Sequence, residues 1–164
     1  GSRHPQGVPW AQNICADTLS IACNHCAQPS CAEACPAGAI TIREDGLVLL
    51  NSAHCLGCGY CAWVCPYSAP QYDPTAGVMS KCNFCAEDLD QGLPPACVAA
   101  CPMRALDFGE REALAARHPE SAQVFPLPNP VLTQPSLVLT PHAAASRARP
   151  GETSLGNAEE VYQP

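Results

Sequence analysis

The 164-residue chain carries a formal charge of −7 and a single lysine, Lys81, which excludes a nucleic-acid partner, since phosphate backbones call for basic patches. Aromatic residues make up only 5%, so aliphatic burial alone would give a thin core, and domains in that position lean on metals or cross-links. No apolar run approaches the roughly 18 residues that cross a bilayer; the longest, such as Leu47 to Leu50, are strand-sized, and no span is expected.

In chain order, residues 1–20 form a lead-in that begins at Gly1 rather than Met and shows no signal peptide. Its one cysteine, Cys15, lies outside every repeated run and reads as a buried free thiol, which packs as a small apolar residue; a surrogate ligand is the alternative. Residues 21–80 carry two four-cysteine runs, Cys23-x2-Cys26-x4-Cys31-x3-Cys35-Pro36 and Cys55-x2-Cys58-x2-Cys61-x3-Cys65-Pro66. Between them, Ala39 to Ile42 and Leu47 to Leu50 flank an Asp45-Gly46 pair, a hairpin signal. Residues 81–109 hold a third run, Cys82-x2-Cys85-x11-Cys97-x3-Cys101-Pro102, whose middle is lengthened by a loop containing Pro94-Pro95. A strand is predicted at Ala105 to Phe108, ended by Gly109.

Residues 110–164 lack cysteine. Glu110 to Arg117 reads as a short helix, acidic in its first turn, with Arg117 at its end and Pro119 beyond. After Phe125, recurring prolines interrupt helix and interior strand alike, so an extended tail is expected. A disordered C-terminus is one reading of it; the other is an arm ordered against a partner subunit, because Leu137-Val138-Leu139 is too apolar for a purely solvated tail.

Thirteen cysteines leave disulfides or metal thiolates as readings. Disulfide scaffolds scatter their cysteines, whereas tight repeated runs suit thiolates converging on one centre. Zinc is the alternative for any isolated Cys-x2-Cys, but the second run is the bacterial ferredoxin signature for 4Fe-4S clusters, in which the fourth cysteine ligates the other cluster of a pair. That rule gives one cluster on Cys23, Cys26, Cys31 and Cys65, and a second on Cys55, Cys58, Cys61 and Cys35. It leaves Cys82, Cys85 and Cys97 one ligand short, and Cys101 assigned to a cluster whose other ligands are missing. The fold class expected is α+β, with short hairpins and short helices around the clusters in ferredoxin-like domains. No nucleophile or acid-base pair suggests that the chain is an enzyme by itself.

Beyond the cysteines, Cys23-Asn24-His25-Cys26, Arg43-Glu44-Asp45-Gly46, Cys65-Pro66-Tyr67, Ala69-Pro70-Gln71-Tyr72 and Cys101-Pro102-Met103-Arg104-Ala105-Leu106-Asp107-Phe108-Gly109 resemble the iron-sulfur B subunits of anaerobic dimethyl sulfoxide reductase and related molybdopterin oxidoreductases. The resemblance runs from about Gly7 to the end. It implies an electron-transfer subunit of anaerobic respiration between a membrane anchor that oxidises menaquinol and a molybdopterin catalytic subunit. The location implied is peripheral, on the periplasmic face of a bacterial cytoplasmic membrane by co-export, with the cytoplasmic face as the alternative. Family members bear four clusters on four runs, the first run pairing with the fourth and the second with the third. The three runs here then match the last three, a truncated N-terminus is expected, and Cys82, Cys85, Cys97 and Cys101 belong to a pair that an upstream run would close. Polysulfide, tetrathionate, nitrite and formate enzymes share the plan, and a free-standing soluble polyferredoxin is a further reading.

Among the remaining residues, His25 and His54 flank ligating cysteines without occupying ligand positions and read as outer donors or surface residues. Lys81 and Arg104 adjoin the third run, where a cation would raise the potential of a cluster unless it faces solvent. Trp63 and Tyr67 read as packing over the clusters rather than as electron relays.

Overall fold

Each cysteine run winds the backbone in the same way. The computed structural model describes residues 22–121 and 127–141, and Cys15 lies outside them. In all three runs the residue before the second cysteine is left-handed: His25 (φ 41°), Gly57 (φ 64°) and Phe84 (φ 59°). The third residue after each fourth cysteine is left-handed too: Gly38 (φ 59°), Ser68 (φ 52°) and Arg104 (φ 48°). Most of these are not glycine, and each such residue costs about 1–2 kcal/mol, so the turns persist because what they surround over-determines them.

The third cysteine of each run begins the same small element. Cys31 is the second residue of α1 (Ser30–Glu33), Cys61 of α2 (Tyr60–Val64), and Cys97 of α4 (Ala96–Ala99). The lengthened middle of the third run forms α3 (Ala86–Asp90). Helices of one turn are not stable alone; here α1 packs on α2 and on the following hairpin.

The hairpin after the first run pairs β1 (Ile40–Ile42) with β2 (Val48–Leu50), Thr41 opposite Leu49. Its loop closes as the Arg43 N–H donates to the Leu47 carbonyl at 2.8 Å, with Gly46 at φ 86°, a three-residue loop ending on a left-handed glycine. A second hairpin follows the second run, β3 (Gln71–Asp73) against β4 (Val78–Ser80), Tyr72 opposite Met79. The Asp73 carboxylate accepts from the Thr75 and Ala76 amides and holds the turn.

No strand forms at Ala105 to Phe108, contrary to the sequence expectation. The Ala105 N–H donates to Cys101 Sγ at 3.3 Å instead of to a neighbouring strand. The predicted helix is present as α5 (Arg111–Arg117), with Glu110 at its N-cap and Arg117 paired to Asp107 at 2.8 Å.

The buried centre is small: Ile40, Val48, Cys61 and Met79, with Cys31, Ala32, Cys35, Leu50, Cys55 and Ala62 packed around them. Four of these ten are cysteines, so the apolar core and the cysteine sites are one structure. The Pro-rich segment is not extended throughout: Pro130–Leu132 makes a 3-10 turn capped by Asn129, and the strip after it lies on the first run. Gln134 and Thr133 carbonyls accept from Ala27 and Gln28 at 2.9 and 3.0 Å, and the Ser136 amide donates to the Asn24 carbonyl at 2.9 Å.

Candidate iron-sulfur centres

The thiols of Cys23, Cys26, Cys31 and Cys65 come together, since each of the first three and Cys65 enters the electrostatic surroundings of Cys26 or Cys31. Three come from the first run; Cys65 enters from the second. Burial pushes the Cys31 thiol up to about 11, the neighbouring cysteines add to it, and Lys81 opposes it. Burial raises the Cys26 thiol as well, against the Thr133 hydroxyl beside it. Thr133 is 2% exposed, and its Oγ1 completes no hydrogen bond.

Cys35, Cys55, Cys58 and Cys61 line a second place, a narrow pocket. Here too a fourth-position cysteine, Cys35, joins three from the other run. The remaining walls are Pro36, Ala37, Ala39, Ile40, Leu50, Leu56 and Met79, apolar throughout. Burial raises the Cys61 thiol, with Cys55 and Cys58 contributing. The Cys55 Sγ accepts from the Gly57 amide at 3.4 Å and the Met79 amide at 3.3 Å, and Cys35 Sγ from Ala39 at 3.3 Å. Gly57 is required here: a Cβ would stand 2.4 Å from the Gly77 carbonyl oxygen.

The third run differs. Cys82 and Cys97 are exposed, as is Cys58 of the second run, and the groups that act most on Cys101 are backbone amides. Phe84 donates to Cys82 Sγ and Ala96 to Cys85 Sγ, both at 3.4 Å. Amides of Ala105 and Leu106, then of Met103 and Arg104, surround Cys101 and hold its thiol below the usual range. This is a concave nest of N–H groups of the kind that holds anions.

Among the described residues, no group of three or more His, Cys, Asp or Glu side chains could hold a single metal ion. Backbone amides donate to the sulfurs of Cys35 and Cys55, an arrangement that suits a cluster more than a lone zinc ion. The donor set fits a 4Fe-4S cluster: soft thiolates, apolar walls and backbone N–H groups aimed at sulfur. The raised thiols must lose their protons to ligate.

Several flanking residues stand elsewhere than sequence suggests. His25 is 4% exposed, not on the surface; its Nδ1 accepts from the Val48 amide at 3.0 Å, and its ring meets Phe84 edge-on at 5.3 Å. Burial and then Lys81 lower it to about 4, so it is neutral; the Cys82 carbonyl pulls weakly the other way, although Nε2 completes no hydrogen bond. His54 and Arg104 are exposed. Lys81 reaches back to the first run, 3.5 Å from Cys23 Sγ. Trp63 does not pack over a cluster site: it is 81% exposed and stacks on Tyr60 at 5.6 Å. Tyr67 is half-buried, its hydroxyl without a hydrogen bond.

Cysteine thiols from crossed runs, amide donors on sulfur and apolar walls define an iron-sulfur protein of the two-cluster ferredoxin class, and residues 14–111 match the 4Fe-4S dicluster domain. The chain is 46% identical over 155 residues to the B subunit of anaerobic dimethyl sulfoxide reductase from Escherichia coli, covering 93% of this chain and 74% of that one. It is 47% identical over 154 residues to the corresponding subunit from Haemophilus influenzae, with the same coverage. The thiosulfate reductase electron transfer subunit PhsB of Salmonella typhi is 43% identical over 92 residues, 56% of this chain and 48% of that one. The chain therefore belongs to the family of anaerobic dimethyl sulfoxide reductase B subunits. It is a 4Fe-4S electron-transfer subunit of a multi-subunit reductase complex and not a catalytic subunit. No helix among the described residues is long and apolar enough to cross a membrane.

Proposed function

We propose that this subunit passes electrons from a quinol-oxidising membrane anchor to a molybdopterin catalytic subunit that reduces dimethyl sulfoxide, working at the periplasmic face of a bacterial membrane. The observation that carries the reading is the crossing of runs, Cys65 into the thiols of the first and Cys35 into those of the second. We assign one cluster to Cys23, Cys26, Cys31 and Cys65, and a second to Cys55, Cys58, Cys61 and Cys35.

Bound there, each cluster supplies a site that takes up and gives back one electron at nearly fixed geometry. The chain holds the two sites side by side, because a single turn separates the third and fourth cysteines of each run, while α1 and α2 pack together. Ile40, Leu50 and Met79 keep water from the second site, and the amides on Cys55 and Cys35 stabilise added negative charge.

Cys82, Cys85 and Cys97, with Cys101, we assign to a further pair whose remaining ligands come from another cysteine run; the relatives are longer than this sequence, which covers 74% of the E. coli subunit. With such a run the clusters would number up to four. The proposed test is to purify the anaerobic complex with its catalytic and anchor subunits and follow cluster signals by electron paramagnetic resonance. Reduction by a menaquinol analogue and reoxidation by dimethyl sulfoxide are expected. Reoxidation by thiosulfate or polysulfide alone would move the chain to a related enzyme, and a stable chain that binds neither subunit would make it a free-standing polyferredoxin.

A further inference from the structure

The only lysine of the chain is fully committed. An ammonium group has three donors, and those of Lys81 meet three acceptors: Cys23 Sγ at 3.5 Å, the Val48 carbonyl, and the Cys82 carbonyl at 3.1 Å. The group is thereby fixed at the junction of the first run, the edge of β2 and the third run. Val48 is bracketed, its amide on His25 and its carbonyl on Lys81.

The surroundings make this charge effective. His25 lies on the other side of Val48, its Nδ1 taken up as acceptor of the Val48 amide. The groups facing Lys81 are two carbonyls, a thiol and the imidazole. Among the described residues no carboxylate pairs with it, since the ion pairs occupy Arg43, Arg117 and His118 with Asp45, Asp90, Asp107 and Glu120. Partial burial limits screening by salt. The second site has no counterpart: its sulfurs meet backbone amides, and its cavity is lined by no charged residue.

We propose that Lys81 is a positioning residue that raises the reduction potential of the cluster held by the first site relative to that held by the second, as a fixed cation on Cys23. This rests on the electron-transfer reading above. Reduction adds a negative charge to the cluster, a fixed positive charge in a poorly screened place favours the reduced form, and hydrogen bonds to the sulfurs act in the same direction.

The test is a potentiometric titration of the anaerobically reconstituted full chain, read by electron paramagnetic resonance. The first site's signal is assigned by its loss in Cys31→Ser. In Lys81→Met, which keeps the stem and removes the charge, the first-site midpoint is expected to shift negative while the second stays. Lys81→Arg is expected to restore it. Lys81→Gln keeps a donor for the carbonyls without the charge and is expected to behave as Lys81→Met; it carries the decision should Lys81→Met fail to load. An unchanged midpoint in the loaded neutral variants, or an equal shift at both sites, overturns the proposal and leaves the electron-transfer reading intact. Wild-type chain that binds no iron overturns both.

Discussion

Residues 22–80 and residues 81–109 repeat one backbone design and end differently. Both place a left-handed residue before the second cysteine, a one-turn helix at the third, and a left-handed residue after Cys-Pro. In the first region two such units face each other, and each fourth cysteine finds the other unit's three. In the second region a single unit leaves two of its four cysteines exposed, against Cys58 alone of the eight in the first, and its fourth cysteine sits in a nest of amides. The local winding is thus set by the run itself, while closure and burial come from a second run. The missing strand after Cys101 has the same cause, because a hairpin of this kind gains from packing against a facing helix and core that residues 81–109 do not supply.

The strongest way to break the contrast is to remove one thiol from each region. Cys61→Ser is expected to cost the second site outright, about four irons per chain by analysis, while Cys97→Ser costs almost none in this chain. Equal losses would mean that the third run loads like the others.

Glycines give the next largest difference. Gly57→Ala sets a methyl against the Gly77 carbonyl at φ 64° and is expected to destabilise by about 2–5 kcal/mol, strain and overpacking together. Gly92, at φ 76° with open space around it, should cost only about 1–2 kcal/mol as alanine. Thermal melts of the two variants, separated by roughly 2–4 °C per kcal/mol, check this.

Thiol chemistry sharpens the same comparison. In reduced metal-free protein at about pH 8, Cys31, raised to about 11, is nearly all thiol, whereas Cys101, held below the usual range, carries more thiolate. After allowing for the weaker nucleophilicity of a low-pKa thiolate, alkylation of Cys101 should run about tenfold faster or more. Mass-spectrometric time courses with iodoacetamide read it out, and the gap should narrow as the pH rises toward the raised value of Cys31.

The smallest effect concerns the link between the regions. Arg43 pairs with Asp90 of α3 at 2.9 Å, with both side chains substantially exposed. Asp90→Asn should therefore leave stability almost unchanged, because exposed ion pairs contribute little, as measured by urea unfolding of the loaded chain.

Much of this is legible in the sequence. Asp45-Gly46 marks the first hairpin, and the crossing rule pairs Cys35 and Cys65 with the opposite runs that the cavity and the thiol group bring to them. The second hairpin is less visible because Gln71 to Asp73 and Val78 to Ser80 are short and do not alternate cleanly, and its turn depends on the Asp73 side chain. The left-handed turns are hidden because His25, Phe84, Ser68 and Arg104 are not glycine; only their recurrence at matching positions in the runs could reveal them. Thr133 beside Cys26 and Lys81 on Cys23 depend on the tertiary path of the chain, to which local sequence is blind. Trp63 misleads because an aromatic near a cysteine suggests a shield, yet its helix turns it to solvent.

The claim that two crossed cysteine sites close within this chain, and that the third run stays open, is tested most directly by counting iron and acid-labile sulfide in the anaerobically reconstituted protein. About eight of each per chain, with spectra of two 4Fe-4S clusters, is the expected result, unchanged when Cys101 is replaced by serine. Stoichiometric zinc without iron, or the loss of about four irons on replacing Cys101 alone, would contradict it.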